Sequence, residues 1–177
     1  MPGAQGPLFD QLFEGTRQLD VERAMSGSGL TMLLEIKHSG LNAGVEKRVA
    51  AELQDGRAWW KPRRLAVQAF DWQSMRAFHT YLPGVPVGVL GKPPAGRLPE
   101  VAAYASRITL PHAGLTARYV EEAHRQGLVV ATWPVKRQSV VRKMISYGVD
   151  GIMTNKPDHL NDPRLKDRRP RGHRAHR

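Results

Sequence analysis

The sequence predicts an α/β fold of parallel strands joined by helices, and three observations carry that prediction. Apolar runs of strand character alternate with amphipathic stretches of helical spacing, at about 25–30 residues per strand-plus-helix unit, long enough for a parallel crossover. The run 128–133 is apolar and β-branched with almost no polar alternation, as expected of a strand covered on both faces. Six such strands fit between residues 31 and 154. The pattern leaves two architectures open, a doubly wound sheet and a (β/α)8 barrel. In both, ligands bind at the carboxyl ends of the strands.

Taken in order, residues 1–28 form an N-terminal segment of uncertain structure: Leu8, Phe9, Leu12 and Phe13 have helical spacing, but Gly15 and the Gly/Ser run 26–29 interrupt it. The first strand, 31–36, leads to a helix over 43–55 with an apolar stripe of Val45, Val49 and Leu53. The second strand, 65–70, ends at Asp71, which caps a helix from Trp72 to about Tyr81 with Met75, Phe78 and Leu82 on one face. The third, 85–90, carries Pro86 near its start, where a missing donor does least harm. A Gly/Pro-rich link and an ambiguous segment, 100–104, precede a short fourth strand over 106–110. Helix 116–126 turns Tyr119, Val120 and Ala123 inward and stops at Gly127; helix 138–147, with Val141, Met144 and Ile145 on a face, stops at Gly148. Strands 128–133 and 149–154 complete the set. The expected organisation is therefore an N-terminal segment 1–28, an α/β domain 29–160 and a tail 161–177.

Composition narrows the functional classes. Apolar residues make up 41% of the chain and no apolar run approaches the ~20 residues of a membrane span, so no membrane-spanning helix is expected. Residues 1–6 lack the basic start and apolar stretch of a signal peptide, which makes a cytoplasmic location the default expectation. Cysteine is absent, which excludes disulfides and thiolate metal sites. The net charge of +11 invites a polyanion partner, but the tail alone, with seven Lys/Arg against Asp162 and Asp167, holds much of it. Such tails are usually disordered and touch polyanions without specificity. The rest is dispersed, apart from a cluster at Lys61, Arg63 and Arg64, and no specific nucleic-acid-binding module is legible.

The strand ends gather the chemistry. Glu35 and Lys37 share one side of the first strand, with Leu33 behind them. Gln68 and Phe70 end the second strand, His112 follows the fourth, Trp133 closes the fifth, and Thr154 and Asn155 close the sixth. A carboxylate such as Glu35 is a hard-oxygen ligand suited to Mg²⁺ or Ca²⁺, and an ammonium such as Lys37 is a point charge for a phosphate oxygen. The amide of Gln68 can donate and accept towards substrate or water, and Trp133 can wall a pocket. Each side chain also has a plain structural use: Glu35 can pair with Lys37, Gln68 can cap a loop and Trp133 can pack in a core.

The segments LLEIK at 33–37, VQAFDW at 67–72, VPVGVL at 85–90, EEAHRQGLVVATWPV at 121–135 and YGVDGIMTNKPDHL at 147–160 resemble, in order and spacing, those of glycerophosphodiester phosphodiesterases. The resemblance covers residues 30 to 160 and implies a TIM barrel. It implies a metal-assisted hydrolysis of glycerophosphodiesters to glycerol 3-phosphate and an alcohol, with Glu35 as a divalent-metal ligand (Mg²⁺ or Ca²⁺), Lys37 on the substrate phosphate and Trp133 lining the pocket. Ala69 stands where that family commonly has serine, and Lys136 where it commonly has a polar residue, often asparagine. The family's opening motifs, a His-Arg-Gly strand end, a Glu-x-Asp pair of metal ligands and a second catalytic histidine, have no counterpart before Thr31.

The six strands therefore correspond to the third to eighth of a barrel, an incomplete one of about six βα units, with the catalytic residues themselves unknown in this chain. Loss of a general acid and base removes roughly 10²–10⁴-fold each from such a reaction. The expectation is a truncated reading of a longer gene with Met1 an internal start, or a decayed relative. Uncovered barrel edges would offer a surface for self-association. Two other functions fit the residues: a phosphate-binding remnant without activity, and a basic polyanion-binding protein driven by the tail.

Overall fold

The computed structural model describes residues 31–37, 43–55 and 64–155. The expectations for residues 1–28, the tail 161–177, the cluster residues Lys61 and Arg63, and both outer boundaries of the 29–160 domain lie outside the described residues. The chain divides into two compact units, residues 1–88 and 89–177, with one strand straddling the division.

The first unit holds β1 (Met32–Glu35), α1 (Val45–Asp55), β2 (Leu65–Ala69), α2 (Trp72–Tyr81) and the start of β3 (Val87–Leu90). β1 and β2 pair in parallel, Met32 against Leu65 through Glu35 against Gln68. The predicted stripe of α1 is the buried one: Val45, Val49 and Leu53, joined by Ala50. Asp71 caps α2 as its position suggests, Oδ1 accepting from the amides of Gln73 (3.0 Å) and Ser74 (3.1 Å) and satisfying two otherwise orphan donors. Met75 and Phe78 are then fully buried on the inner face of α2. Ser74 Oγ donates to Glu46 Oε1 at 2.6 Å and ties the two helices together. β3 begins two residues later than the expected 85, because the Val85 amide closes the turn after α2 on the Leu82 carbonyl (3.1 Å) and Pro86 has no amide hydrogen to give.

The second unit holds the end of β3, a 3-10 turn (Ala95–Arg97), α3 (Leu98–Ala102), β4 (Arg107–Pro111), α4 (Ala117–Arg125), β5 (Val129–Trp133), α5 (Gln138–Ser146) and β6 (Gly151–Ile152). The ambiguous segment 100–104 thus resolves as the end of a short helix, with a proline in its first turn, where the ring is tolerated. β4 pairs in parallel with β5, and β5 with β6. Ile108, Leu110, Val130 and Thr132 share one face and are fully buried. Thr109, Ala131 and Gly151 form a row on the other, one residue per strand. α4 and α5 end as expected, with Gly127 (φ 78°) and Gly148 (φ 84°) in the left-handed conformation that a C′ residue adopts.

β6 is shorter than the expected 149–154. Val149 closes the preceding helix on the Met144 carbonyl (3.3 Å), while Asp150 and Met153 extend the hydrogen bonding to β5 on either side of the labelled strand. Asp150 adds a further tie, its Oδ2 lying 2.8 Å from His124 Nε2 and 2.7 Å from the Val130 amide nitrogen. His124, on the helix before β5, is held in this tie.

Candidate functional site

Within the first unit, the structure places Glu35 and Gln68 directly opposite each other at the carboxyl ends of β1 and β2. In a parallel pair, residues opposite in register project to the same face. The next amide, Ile36 N, donates to the Gln68 carbonyl at 2.9 Å and carries the pairing one residue past the end of β1. Leu34 and Ile36 are buried, whereas Glu35 and Lys37 are exposed, so the alternation read from the sequence is the one the strand adopts. Gln68 is 4% exposed, and a buried amide is stable only with its polar atoms engaged. An exposed acid, an exposed amine and a buried amide therefore border one strand-end region of this unit. Phe70 follows immediately and is exposed.

The second unit has its own strand-end group. Trp133 closes β5 opposite Pro111, and its carbonyl accepts from the His112 amide at 3.2 Å. Leu115 N in turn donates to the His112 carbonyl (3.3 Å), so His112 sits in a closed turn. Its Nδ1 is buried and has no hydrogen-bond partner among the described residues. Lys92, just after β3, was not singled out from the sequence. Its Nζ donates to the Gly114 carbonyl at 2.6 Å and lies 5.1 Å from the centre of the Tyr119 ring. The position after the Gly91 that ends an apolar strand was the one available signal for it. Tyr119 Oη donates to the Pro93 carbonyl at 2.7 Å, and burial pushes this phenol up to about 12.

Among the described residues, no group of three or more His, Asp or Glu side chains is placed to share a metal ion. Glu35 is a hard-oxygen donor of the kind Mg²⁺ and Ca²⁺ take, but these ions require about six or more oxygen ligands, and one carboxylate with waters makes a weak site. The described residues alone therefore do not fit a complete divalent-metal site. No helix among them is long and apolar enough to cross a membrane.

Comparison with known proteins adds to this geometry. The sequence pattern of the glycerophosphoryl diester phosphodiesterase family matches residues 9–159. A Bacillus subtilis (strain 168) protein provisionally named a glycerophosphodiester phosphodiesterase, YhdW, is 25% identical over 162 residues, which are 88% of this chain and 65% of that protein. A crystal structure from Silicibacter pomeroyi DSS-3, provisionally a glycerophosphoryl diester phosphodiesterase, superposes with a TM-score of 0.63 at 31% identity, over 73% of this chain and 48% of that one. An Oleispira antarctica phosphodiesterase, solved with its product sn-glycerol-3-phosphate, shares the fold with a TM-score of 0.66 at 18% identity, over 84% of this chain and 59% of that one. The chain thus spans less than two thirds of the length of these relatives. The fold class is α/β of the TIM (β/α)8 type, incomplete, with six strands among the described residues.

Proposed function

The chain belongs to the glycerophosphoryl diester phosphodiesterase family, and from that premise we propose that its strand-end residues bind glycerophosphodiesters for hydrolysis to sn-glycerol 3-phosphate and an alcohol. The observation that carries this reading is the register of Glu35 against Gln68, with Lys37 two residues on. In this reading the Lys37 ammonium holds a non-bridging phosphate oxygen, and a compact, rotatable amine suits that task. Gln68, fixed by burial, orients an oxygen of the diester or of the attacking water. Glu35 would offer one oxygen to a divalent cation, Mg²⁺ or Ca²⁺, whose remaining ligands the described residues do not supply. The groups that move protons are not assigned.

A second reading, binding of the phosphate group without turnover, is favoured by one observation. In the first unit the one histidine among the described residues, His79, sits on α2 and not at a strand end. One experiment separates the two. Calorimetric titration of sn-glycerol 3-phosphate into the wild type and Lys37→Ala is paired with an assay for choline release from glycerophosphocholine with Mg²⁺ or Ca²⁺. Binding lost in Lys37→Ala together with choline release supports hydrolysis, and binding without release supports the second reading. No binding of sn-glycerol 3-phosphate to the wild type would overturn both.

A further inference from the structure

Three large apolar side chains are exposed among the described residues: Phe70 (58%), Tyr81 (48%) and Val129 (39%). Tyr81 ends α2, and Val129 opens β5 at its amino end. Phe70 alone follows the carboxyl end of a strand, two residues beyond Gln68 and in the same unit as Glu35 and Lys37. Its backbone is held on both sides. Ala69 before it is fully buried in β2, and Asp71 after it is the capping residue of α2, bonded to two amides. The backbone that carries the exposed ring is therefore held in place, which lowers the ordering cost of a contact made there.

We propose that Phe70 is a specificity-determining residue: a preset aromatic surface for the alcohol half of a glycerophosphodiester when that alcohol presents methyl groups, as a quaternary ammonium such as choline does. The inference rests on the phosphodiester reading above and deepens it by naming the substrate class. A trimethylammonium group gains twice on an aromatic face. Its charge is attracted to the ring quadrupole, and its methyl groups cover apolar surface that water otherwise wets. An alcohol that presents hydroxyls, such as glycerol, gains neither and must give up hydrogen bonds to water to make the same contact. The phosphate half of the diester would be held by other residues, so the two halves are separable by experiment.

The test is calorimetric titration of the full chain with glycerophosphocholine, glycerophosphoglycerol and sn-glycerol 3-phosphate. The proteins compared are the wild type, Phe70→Ala, Phe70→Leu and Phe70→Trp, each first checked for an unchanged urea midpoint. Phe70→Ala should weaken glycerophosphocholine by roughly threefold to tenfold, the range expected of an exposed cation–π contact with its apolar area. It should leave sn-glycerol 3-phosphate within about twofold, since that ligand lacks the alcohol. Phe70→Trp should keep the preference, and Phe70→Leu, which retains apolar area without an aromatic face, should keep only part of it. Equal weakening of all three ligands, or none, in Phe70→Ala would overturn the proposal while leaving the phosphodiester reading intact. A wild type that binds none of the three ligands would remove that reading and the role of Phe70 with it.

Discussion

One oxygen of Asp150 serves both His124 Nε2, at 2.8 Å, and the Val130 amide, at 2.7 Å, so a single carboxylate joins the end of α4 to the start of β5 and the approach to β6. Asp150→Ala should therefore destabilise the chain by about 1–2 kcal/mol, the range for losing charge-assisted hydrogen bonds that water can partly replace. Asp150→Asn, which keeps an acceptor, should lose less. Urea midpoints of the two variants check this, and an unchanged midpoint in Asp150→Ala would show the tie to be idle.

Tyr119 gives a pH signature. Its phenol titrates near 12 in the folded chain because burial disfavours the phenolate, against about 10 when unfolded. The folded state therefore holds this proton more tightly, and the contribution is fully present below pH ~10 and lost as pH rises from there through about 12. In Tyr119→Phe this part of the alkaline decline should vanish. The same variant should be less stable at neutral pH by about 1 kcal/mol, because the buried bond to the Pro93 carbonyl is gone. Urea unfolding of both proteins at pH 8 and pH 11 measures the two effects together.

Gly151 lies close against Ala131 in the row they share with Thr109. A Cβ built there would meet the Ala131 Cβ at 3.3 Å, tighter than ordinary contact. Gly151→Ala should destabilise by about 1 kcal/mol, towards the lower end of overpacking penalties. Combined with Ala131→Gly, the double variant should lose less than the sum of the two single losses if the contact is the cause, because the second change removes the methyl that the new Cβ meets. A double-mutant cycle with a coupling energy of zero would show that the crowding has no effect.

If Glu35 is a metal ligand, Mg²⁺ or Ca²⁺ should tighten the binding of sn-glycerol 3-phosphate to the wild type, and Glu35→Gln should remove most of that enhancement while leaving metal-free binding nearly unchanged. Calorimetry with and without chelator reads this directly. An enhancement of equal size in Glu35→Gln would exclude the carboxylate from the metal's ligands.

Much of the fold was legible because the local signals agree with one another. The stripe Val45, Val49, Leu53 is the buried face of α1, Asp71 caps α2, and Gly127 and Gly148 stop their helices with the positive φ that their type suggests. The misjudged starts of β3 and β6 share one cause. At Val85 and Val149, β-branched residues that look like strand starters instead use their amides to close the preceding helix, a choice made by hydrogen bonding and invisible to hydropathy. In the candidate site, the shared side of Glu35 and Lys37 followed from alternation alone, but its exposure did not, and the pairing of Glu35 with Gln68 depends on inter-strand register, which the residues of either strand do not encode separately. Lys92 escaped notice because its partners, Gly114 and Tyr119, lie more than twenty residues further along the chain.

The Lys92 contact also defines what can be transplanted. A loop exchange that moves residues 112–116 into a related scaffold leaves behind the amine bonded to Gly114, and one that moves 91–93 leaves behind the carbonyl and the ring it rests on. Tyr119, bonded back to Pro93, extends the same dependence into α4. The natural cassette for engineering is therefore the discontinuous pair 91–93 and 112–119, moved as one piece.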